Sequence, residues 1–171
     1  MKYMVISDIH GEINNLNRVL DIYKYENCSK LIILGDLFNY GIDYNREDII
    51  NRLNLMKKNI VAARGNCDNN ISGILFDIPY INKINLNNKK IFLTHGHLYN
   101  KESLLKLDSD IILIGHSHIS NIENINDKLI VNPGSISKSR RGENSFAIID
   151  NEFISIKNLY NEKLLEYKIN I

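Results

Sequence analysis

The chain has 171 residues, of which 44% are hydrophobic and 24% are charged, and its formal net charge is +1. At about 100–200 residues per domain, this length predicts one domain over residues 1–171, with a sizeable hydrophobic core. The near-zero charge excludes a strongly basic surface for wrapping nucleic acid or binding anionic lipid. We therefore expect no stable nucleic-acid complex and no membrane partner.

The apolar runs of the sequence are all short. None approaches the roughly 20 residues that a membrane span needs, and no signal peptide precedes the first strand-like run. The two cysteines, Cys28 and Cys67, are too few to form a disulfide framework for a domain of this size, so reduced thiols are expected. These features together predict a cytoplasmic protein.

The first part of the chain alternates between strand and helix patterns. Runs of branched apolar residues predict three strands, at 3–7, 31–34 and 60–63. Apolar residues at helical spacing predict two helices between them, around 16–23 and 49–56. Such alternation is typical of parallel strands that are covered by helices.

After about residue 78 the pattern changes to strands, with one short helix predicted at 104–107. Turns are predicted at Asn87-Asn88 and at Asn126-Asp127. The predicted strands are 80–86, 90–94, 111–114, 119–125, 129–132, 145–150 and 153–159. Because these are too many strands for one small sheet, the predicted fold class is α/β (or α+β). We expect a four-layer αββα sandwich of two mixed β-sheets flanked by helices.

Five of the apolar runs end at residue types that bind metal ions. In open α/β sheets, ligand sites collect beyond the carboxyl ends of the strands, so five strand ends would bring these side chains to one place. The candidate ligands, in chain order, are Asp8, His10, Asp36, Asn66, His95, His116 and His118. His97 lies two residues beyond His95, so all five histidines of the chain fall in these segments.

Local spacing supports this convergence. In an extended chain, residues i and i+2 point to the same side, so Asp8 with His10, and His116 with His118, could each reach one ion. The proposed ligands also have glycines beside them, which would allow tight turns and a close approach of the backbone: Gly11, Gly35, Gly65, Gly96 and Gly115.

The mixed nitrogen and oxygen ligand set favours transition metals over Ca²⁺ or a structural thiolate zinc site. Seven ligands are too many for one tetrahedral ion and suit two ions about 3.5–4 Å apart that share a carboxylate. We expect two divalent transition-metal ions, with Mn²⁺ as the first candidate and Ni²⁺, Zn²⁺ or Fe as alternatives.

These segments resemble the five-part signature of the calcineurin-like metallophosphoesterases, in order and over nearly the whole chain. The cysteine in the third segment and the Asn132-Pro133-Gly134-Ser135 run resemble the small YfcE-type phosphodiesterases of bacteria and archaea. The resemblance implies a two-sheet sandwich fold. It also implies two metal sites, with Asp8, His10 and His118 at one, Asn66, His95 and His116 at the other, and Asp36 bridging them.

The same resemblance implies a phosphoric diester hydrolase in which a metal-bridging hydroxide attacks phosphorus. The residues implied in catalysis are Asp36, Asn66 and His97, of which Asn66 and His97 would also bind the substrate. The implied substrate is a small phosphoester, and a homodimer or higher homo-oligomer is plausible by resemblance.

One departure from the wider family concerns Cys67. Larger phosphatases of this fold carry a histidine there, assigned as proton donor to the leaving group, and Cys67 cannot be assumed to replace it. We therefore expect better turnover of activated diesters than of alkyl monoesters. Because a metal hydroxide makes a thiolate nucleophile redundant, we interpret Cys67 as a small buried neighbour of the site.

Several roles stay open at this point. His97 could contact substrate phosphate or support His95, and Asp68 could pair with an imidazole or be an ordinary turn residue. Arg64 could meet a phosphate or lie on the surface. The basic cluster of Lys138, Arg140 and Arg141 could be a solvated loop or could steer phosphate.

The turn at 132–135 is expected to shape the rim of the site. A different class of function also remains, a non-catalytic scaffold of the same fold that binds other proteins, like the retromer subunit. No candidate ligand is missing from this sequence, which favours the enzyme.

Overall fold

The computed structural model describes residues 1–41, 43–86 and 88–169. Asn87, the first residue of the turn predicted at Asn87-Asn88, lies outside the described residues. Among the described residues, no helix has both the length and the apolar character to cross a membrane.

The first part of the chain forms the predicted alternation of strands and helices. Its elements are β1 (Tyr3–Ile6), α1 (Ile13–Tyr25), β2 (Lys30–Ile33), α2 (Arg46–Asn54), a 3₁₀ turn (Lys57–Asn59) and β3 (Ile60–Ala62). Helix α1 has a buried face because Leu16, Val19, Leu20 and Tyr23 recur at helical spacing.

The remainder is rich in strands, as the sequence predicted. Its elements are β4 (Ile81–Leu86), β5 (Lys89–Thr94), α3 (Lys101–Leu105), β6 (Ile111–Leu113), β7 (Asn121–Ile125), β8 (Lys128–Asn132), β9 (Ser145–Ile149), β10 (Phe153–Asn158) and β11 (Lys163–Lys168). Helix α3 begins after a reciprocal capping box formed by the Asn100 side chain and Ser103, and it ends at Leu105, so the last two of the predicted helical residues 104–107 lie outside it.

The described strands form two mixed sheets. One has six strands in the order β11-β10-β9-β1-β2-β3, and the other has five in the order β4-β5-β6-β8-β7. Each sheet contains a parallel triplet, β1-β2-β3 in the first and β5-β6-β8 in the second, with antiparallel strands beside it. The carboxyl ends of both triplets carry the candidate ligands.

The sheets pack face to face across an aliphatic core that includes Val5, Leu93 and Val131, all fully buried. Helices α1 and α2 cover the outer face of the six-stranded sheet. On the outer face of the five-stranded sheet, Leu104 of α3 packs in a smaller cluster with Phe92. The predicted fold, an αββα sandwich of two mixed sheets, is confirmed.

Strand β11 was not predicted. It lies at an edge of the six-stranded sheet, and only Tyr167 among its residues is half-buried. An edge strand with so little buried surface lacks the alternation of apolar and polar residues by which strands are recognised.

Candidate metal centre

Seven candidate ligands lie together beyond the carboxyl ends of the two parallel triplets. The six-stranded sheet supplies one half of the cluster, in which Asp8 and His10 follow β1, Asp36 follows β2 and Asn66 follows β3. The five-stranded sheet supplies the other half, in which His95 follows β5, and His116 and His118 follow β6. The cluster therefore spans the interface between the sheets.

Two carboxylates and one imidazole form the buried floor of the cluster. Asp8 and His95 are fully buried, and Asp36 is 2% exposed. His95 Nε2 lies 3.3 Å from Asp36 Oδ2 and 3.9 Å from Asp8 Oδ1. These three groups offer oxygen and nitrogen atoms within 4.8 Å of one another, close enough to hold one cation.

A second group faces the same floor. His118 Nε2 lies 3.3 Å from Asp8 Oδ1 and 3.2 Å from His10 Nε2. His10 Nε2 is also 3.8 Å from Asp8 Oδ1 and 3.7 Å from Asp36 Oδ2. Asp8, His10 and His118 thus form a second possible cation site, and Asp36 lies within reach of both groups.

The remaining two candidate ligands border His95. Asn66 Oδ1 lies 3.1 Å from His95 Nε2, and the ring of His116 meets that of His95 edge-on with centroids 5.1 Å apart. The backbone N–H of His116 donates to Asp8 Oδ2 at 3.2 Å. The structure therefore brings all seven candidates together, although their roles as ligands stay predictions.

The backbone is left-handed at most of the candidate ligands. Five of them have positive φ: Asp8 at 56°, His10 at 46°, Asp36 at 53°, His116 at 65° and His118 at 59°. The reasoning from extended chain at Asp8-His10 and at His116-His118 was therefore wrong. These pairs converge because each loop turns sharply at its ligand residues.

Two glycines allow the ligand loops to approach closely. A Cβ at Gly65 would lie 2.0 Å from Asp36 Oδ1, and one at Gly115 would lie 1.9 Å from Ser7 Oγ. No real side chain fits at such distances, so the contact between the Asp36 loop and the Asn66 loop requires glycine at position 65.

Backbone carbonyls orient two of the imidazoles. His95 Nδ1 lies 2.7 Å from the carbonyl oxygen of Leu34, and His118 Nδ1 lies 2.7 Å from that of Lys138. A carbonyl only accepts, so each Nδ1 carries the proton and donates it. Nε2 of each ring then faces the carboxylates, and that of His95, which meets Asp36 Oδ2, has to give up its proton before it can bind a cation.

The cluster fits divalent transition-metal ions. Asp8 Oδ1 is buried and has no hydrogen-bond partner among the described residues, which is costly unless a cation satisfies it. Burial raises the pKa of Asp8. Burial also lowers the pKa of His10 to about 4. The His10 ring is therefore neutral near pH 7, as a metal ligand must be. Burial opposes ionisation of Asp36, but its hydrogen bond to His95 and the charge of that ring outweigh burial and lower the Asp36 pKa to about 2.

His97 lies beside the cluster. Its ring centroid is 5.4 Å from that of His95 and 6.1 Å from that of His116, and its Nδ1 is buried without a hydrogen-bond partner among the described residues. Burial, and then the proximity of His95, lower the pKa of His97. The side chain is near enough to the cluster to be a candidate for substrate contact.

Asp68 holds the backbone of two ligand loops. Its carboxylate accepts hydrogen bonds at 2.8 Å from the N–H groups of Asp36, Leu37 and Gly65. It does not hydrogen-bond an imidazole among the described residues, so the pairing considered from the sequence is not the one found. Asp68 instead fixes the positions from which Asp36 and Asn66 project.

The turn at 132–135 is buried and supports the ligand loops from within the protein, and Asn132 also lines the cleft beside His116. The Asn132 side chain donates to the Gly115 carbonyl at 2.8 Å, and the Ser135 hydroxyl donates to the Asp8 carbonyl at 2.9 Å. Ser137 donates to the same Asp8 oxygen at 2.7 Å. Ser137 was missed because an isolated serine after a turn carries no recognisable signal.

Two further side chains border the cluster. The Tyr40 hydroxyl accepts a hydrogen bond at 2.8 Å from the Asn66 side-chain amide, a contact that the sequence did not suggest. Cys67 is buried and donates from its backbone N–H to Asp36 Oδ1 at 2.8 Å. Burial, and then the neighbouring Asp36, raise the pKa of the Cys67 thiol to about 12, so it stays protonated.

The basic residues near the cluster have different surroundings. Arg64 is half-buried, with its guanidinium 5.4 Å from the ring centroid of Tyr80 and its Nε without a hydrogen-bond partner among the described residues. Lys138 Nζ donates to the Asn39 side chain at 3.2 Å. Arg140 and Arg141 are exposed, and Arg141 lines a cleft beside His116.

Comparisons of the sequence with known proteins all point to one family. A family model described as the calcineurin-like phosphoesterase superfamily domain matches residues 1–152. The chain is 32% identical over 176 residues to phosphodiesterase YfcE of Escherichia coli K12, a match that covers 96% of each chain. It is 27% identical to phosphodiesterase MJ0936 of Methanocaldococcus jannaschii, covering 97% of this chain and all of the relative.

Solved structures agree with the sequence matches. The structure of the E. coli phosphoesterase YfcE superposes with a TM-score of 0.92 at 32% identity, covering 99% of this chain and 100% of that one. Vacuolar protein sorting 29 of Cryptosporidium parvum superposes with a TM-score of 0.74 at 18% identity, covering 99% and 98% of the two chains. At that identity the second match shows the fold alone.

Proposed function

Since the chain belongs to the calcineurin-like phosphoesterase superfamily, we propose that it is a metal-dependent phosphoric diester hydrolase with two metal ions, acting on small phosphodiesters. The observation that carries this proposal is the convergence of seven candidate ligands on a buried floor, where one carboxylate oxygen of Asp8 has no hydrogen-bond partner among the described residues. A buried anion cluster of this kind is costly to a protein that does not use it to bind cations.

In this proposal one ion would be held by Asp8, His10 and His118 and the other by Asn66, His95 and His116, and Asp36 would contribute to both. When bound, the ions would supply an activated water and polarise the phosphoryl oxygens. His97 would donate a hydrogen bond to a phosphoryl oxygen, and Asn66 would help to orient the substrate. Mn²⁺ is the first candidate metal, and a homo-oligomer is the proposed assembly.

The test is hydrolysis of a bis-aryl phosphodiester by purified protein with Mn²⁺, Ni²⁺ or Zn²⁺. We expect Asp36→Asn and His116→Ala each to lower kcat/KM by at least about a hundredfold, because each substitution removes a ligand. Asp108→Asn is the matched control, since Asp108 is exposed and pairs with Lys90 at 2.7 Å on the surface. Metal analysis should give two ions per wild-type chain.

The same assay decides between the enzyme and the scaffold alternative. Wild-type rates no higher than those of the Asp36→Asn and His116→Ala variants would end the enzyme proposal. The scaffold has no physical need for four imidazoles and two carboxylates at one point between two sheets, which is why the enzyme is the proposal made.

A further inference from the structure

A cleft of about 890 Å³ opens beside the candidate metal centre. His116 belongs to both, because its ring meets that of His95 on one side and the residue lines the cleft on the other. From His116 the cleft runs over the outer face of the five-stranded sheet, past α3 and β7, to strand β11. A group attached to a phosphate at the metal centre would therefore enter it directly.

The walls of the cleft are mainly apolar. Tyr99, Leu104, Ile114 and Ile130 line it on the side of the five-stranded sheet. At the far end lies β11, whose Leu165 is 43% exposed. A volume of this size with apolar walls is in the range of about 300–1,000 Å³ that is typical of sites for organic ligands.

One positive charge on the lining is unpaired. Lys101 forms an ion pair with Glu123 at 2.8 Å, and Glu143 accepts a hydrogen bond from the Asn158 side chain at 3.0 Å. The guanidinium of Arg141 has neither a hydrogen bond nor an ion pair with any described residue. Arg141 therefore offers a donor fork suited to an additional anionic group.

We propose that this cleft binds one ester arm of the substrate, and that this arm is a nucleotide. The inference rests on the proposed function, and it narrows the substrate class to phosphodiesters with a flat, nucleoside-sized arm that carries a further phosphate. The base and sugar lie against Ile114 and the exposed side chains of Leu164 and Leu165, and the further phosphate meets Arg141.

Three substrates with the same nitrophenolate leaving group test the size and charge of this arm. They are methyl p-nitrophenyl phosphate, thymidine 5′-(p-nitrophenyl phosphate) and the 3′-phosphate of the latter. With the leaving group constant, we expect KM to fall about tenfold from the methyl to the thymidine ester and again with the 3′-phosphate, while kcat changes little. Equal KM values for all three would overturn the proposal.

Two variants assign the effects to the cleft. Leu165→Trp fills its far end at an exposed position and should raise KM for the thymidine esters but not for the methyl ester. Arg141→Gln should remove the advantage of the 3′-phosphate and leave the other two substrates unchanged. Arg52→Gln is the matched control, because Arg52 is an exposed arginine of α2 and does not line the cleft.

A binding measurement separates this inference from the proposed function. Zinc-loaded protein with labelled methyl groups is titrated with thymidine 3′,5′-bisphosphate, and we expect saturable NMR shifts at Leu164 and Leu165. If no ester is hydrolysed, the proposed function fails, and these shifts still decide whether the cleft binds a nucleotide. If the esters are hydrolysed with equal KM and the methyl signals do not move, the cleft proposal fails alone.

Discussion

At the scale of single residues, five of the seven candidate ligands lie in a left-handed conformation that is uncommon outside glycine. Aspartate and histidine are among the side chains that tolerate a left-handed backbone, yet each such residue costs about 1–3 kcal/mol unless its surroundings hold it there. Asp68, Ser135 and Ser137 provide that support through hydrogen bonds to the backbone of the ligand loops. The loop conformation is therefore enforced by residues that would not touch the metal.

Gly65 gives a direct test of this close packing. Gly65→Ala places a methyl group against Asp36 Oδ1, so we expect a loss of about 2 kcal/mol in the free energy of unfolding and about a tenfold loss in metal affinity. Urea denaturation and metal titration measure the two effects. Gly41→Ala is the control for metal affinity alone: a Cβ at Gly41 meets no described atom within 4 Å, but its φ of 88° makes any side chain there costly to stability. Unchanged metal affinity in both variants would contradict the argument.

Cys67 leads to a prediction about the leaving group. Its thiol has a pKa raised to about 12 by burial and by Asp36, so it is a poor proton donor to a departing alkoxide. We expect a bis-aryl phosphodiester, whose leaving group is a weak base, to be hydrolysed at least about a hundredfold faster than an alkyl phosphomonoester. Rates are compared at saturating metal, and equal rates on both classes would refute the expectation.

The identities of the candidate site residues followed from the sequence, but their surroundings did not. The Asp, Asn and His residues at the strand ends can be recognised from the sequence alone, because each follows its own apolar run. The carbonyl that orients His118 belongs to Lys138, twenty residues away in the chain, and the hydroxyl beside Asn66 belongs to Tyr40. Such partners depend on tertiary contacts that no local pattern encodes.

At the scale of elements, Glu26 connects helix α1 to the six-stranded sheet. It lies at the carboxyl end of α1, and its carboxylate accepts hydrogen bonds from Lys2 at 2.8 Å, Lys157 at 2.7 Å and Asn161 at 3.0 Å. Burial alone would raise the pKa of Glu26, but the bonds from Lys157, Lys2 and Asn161 outweigh it and lower the pKa to about 2. The ionised form thus stabilises the docking of α1.

The pH dependence of this contact has a defined sign. Because the folded pKa of about 2 is below the ordinary value of 4.5, the stabilisation is present above pH 4.5 and is lost as the pH falls toward 2. We expect Glu26→Gln to reduce the free energy of unfolding by about 2 kcal/mol at pH 7, and the difference from wild type to narrow between pH 4.5 and 2.

The measurement is urea denaturation of both proteins across that pH range. Glu102→Gln is the matched control, because Glu102 pairs with Lys106 on the exposed surface of α3, where such pairs contribute little. A difference between wild type and Glu26→Gln that stays constant down to pH 2 would contradict the role given to Glu26.

The elements with a strong apolar period were predicted to within a few residues, and those without it were not. Helix α1 could be predicted because its buried residues recur at helical spacing. Strand β11 could not, because most of its residues face solvent and show no such period. The strand predicted at 119–125 begins only at Asn121, since the preceding residues continue the loop that carries His118. Tertiary packing decides such boundaries, and propensity does not.

At the scale of the whole molecule, the two sheets share one aliphatic core, and we propose that residues 1–171 form a single domain. A shared core predicts one cooperative unfolding transition. We expect a calorimetric enthalpy equal to the van't Hoff enthalpy, with loss of both sheets at the same temperature. Two resolved transitions would indicate that the sheets unfold separately.

The division of the candidate ligands between the two sheets has a consequence for distant substitutions. Asp8 and Asp36 move with one sheet, and His95 and His116 move with the other, so the thickness of the aliphatic layer sets the spacing of the two halves. Val5 and Leu93 lie in that layer, within three residues of Asp8 and His95. A smaller side chain there leaves a cavity into which the sheets can partly relax, so we expect the spacing of the candidate ligands to depend on the volume of side chains that lie outside the site.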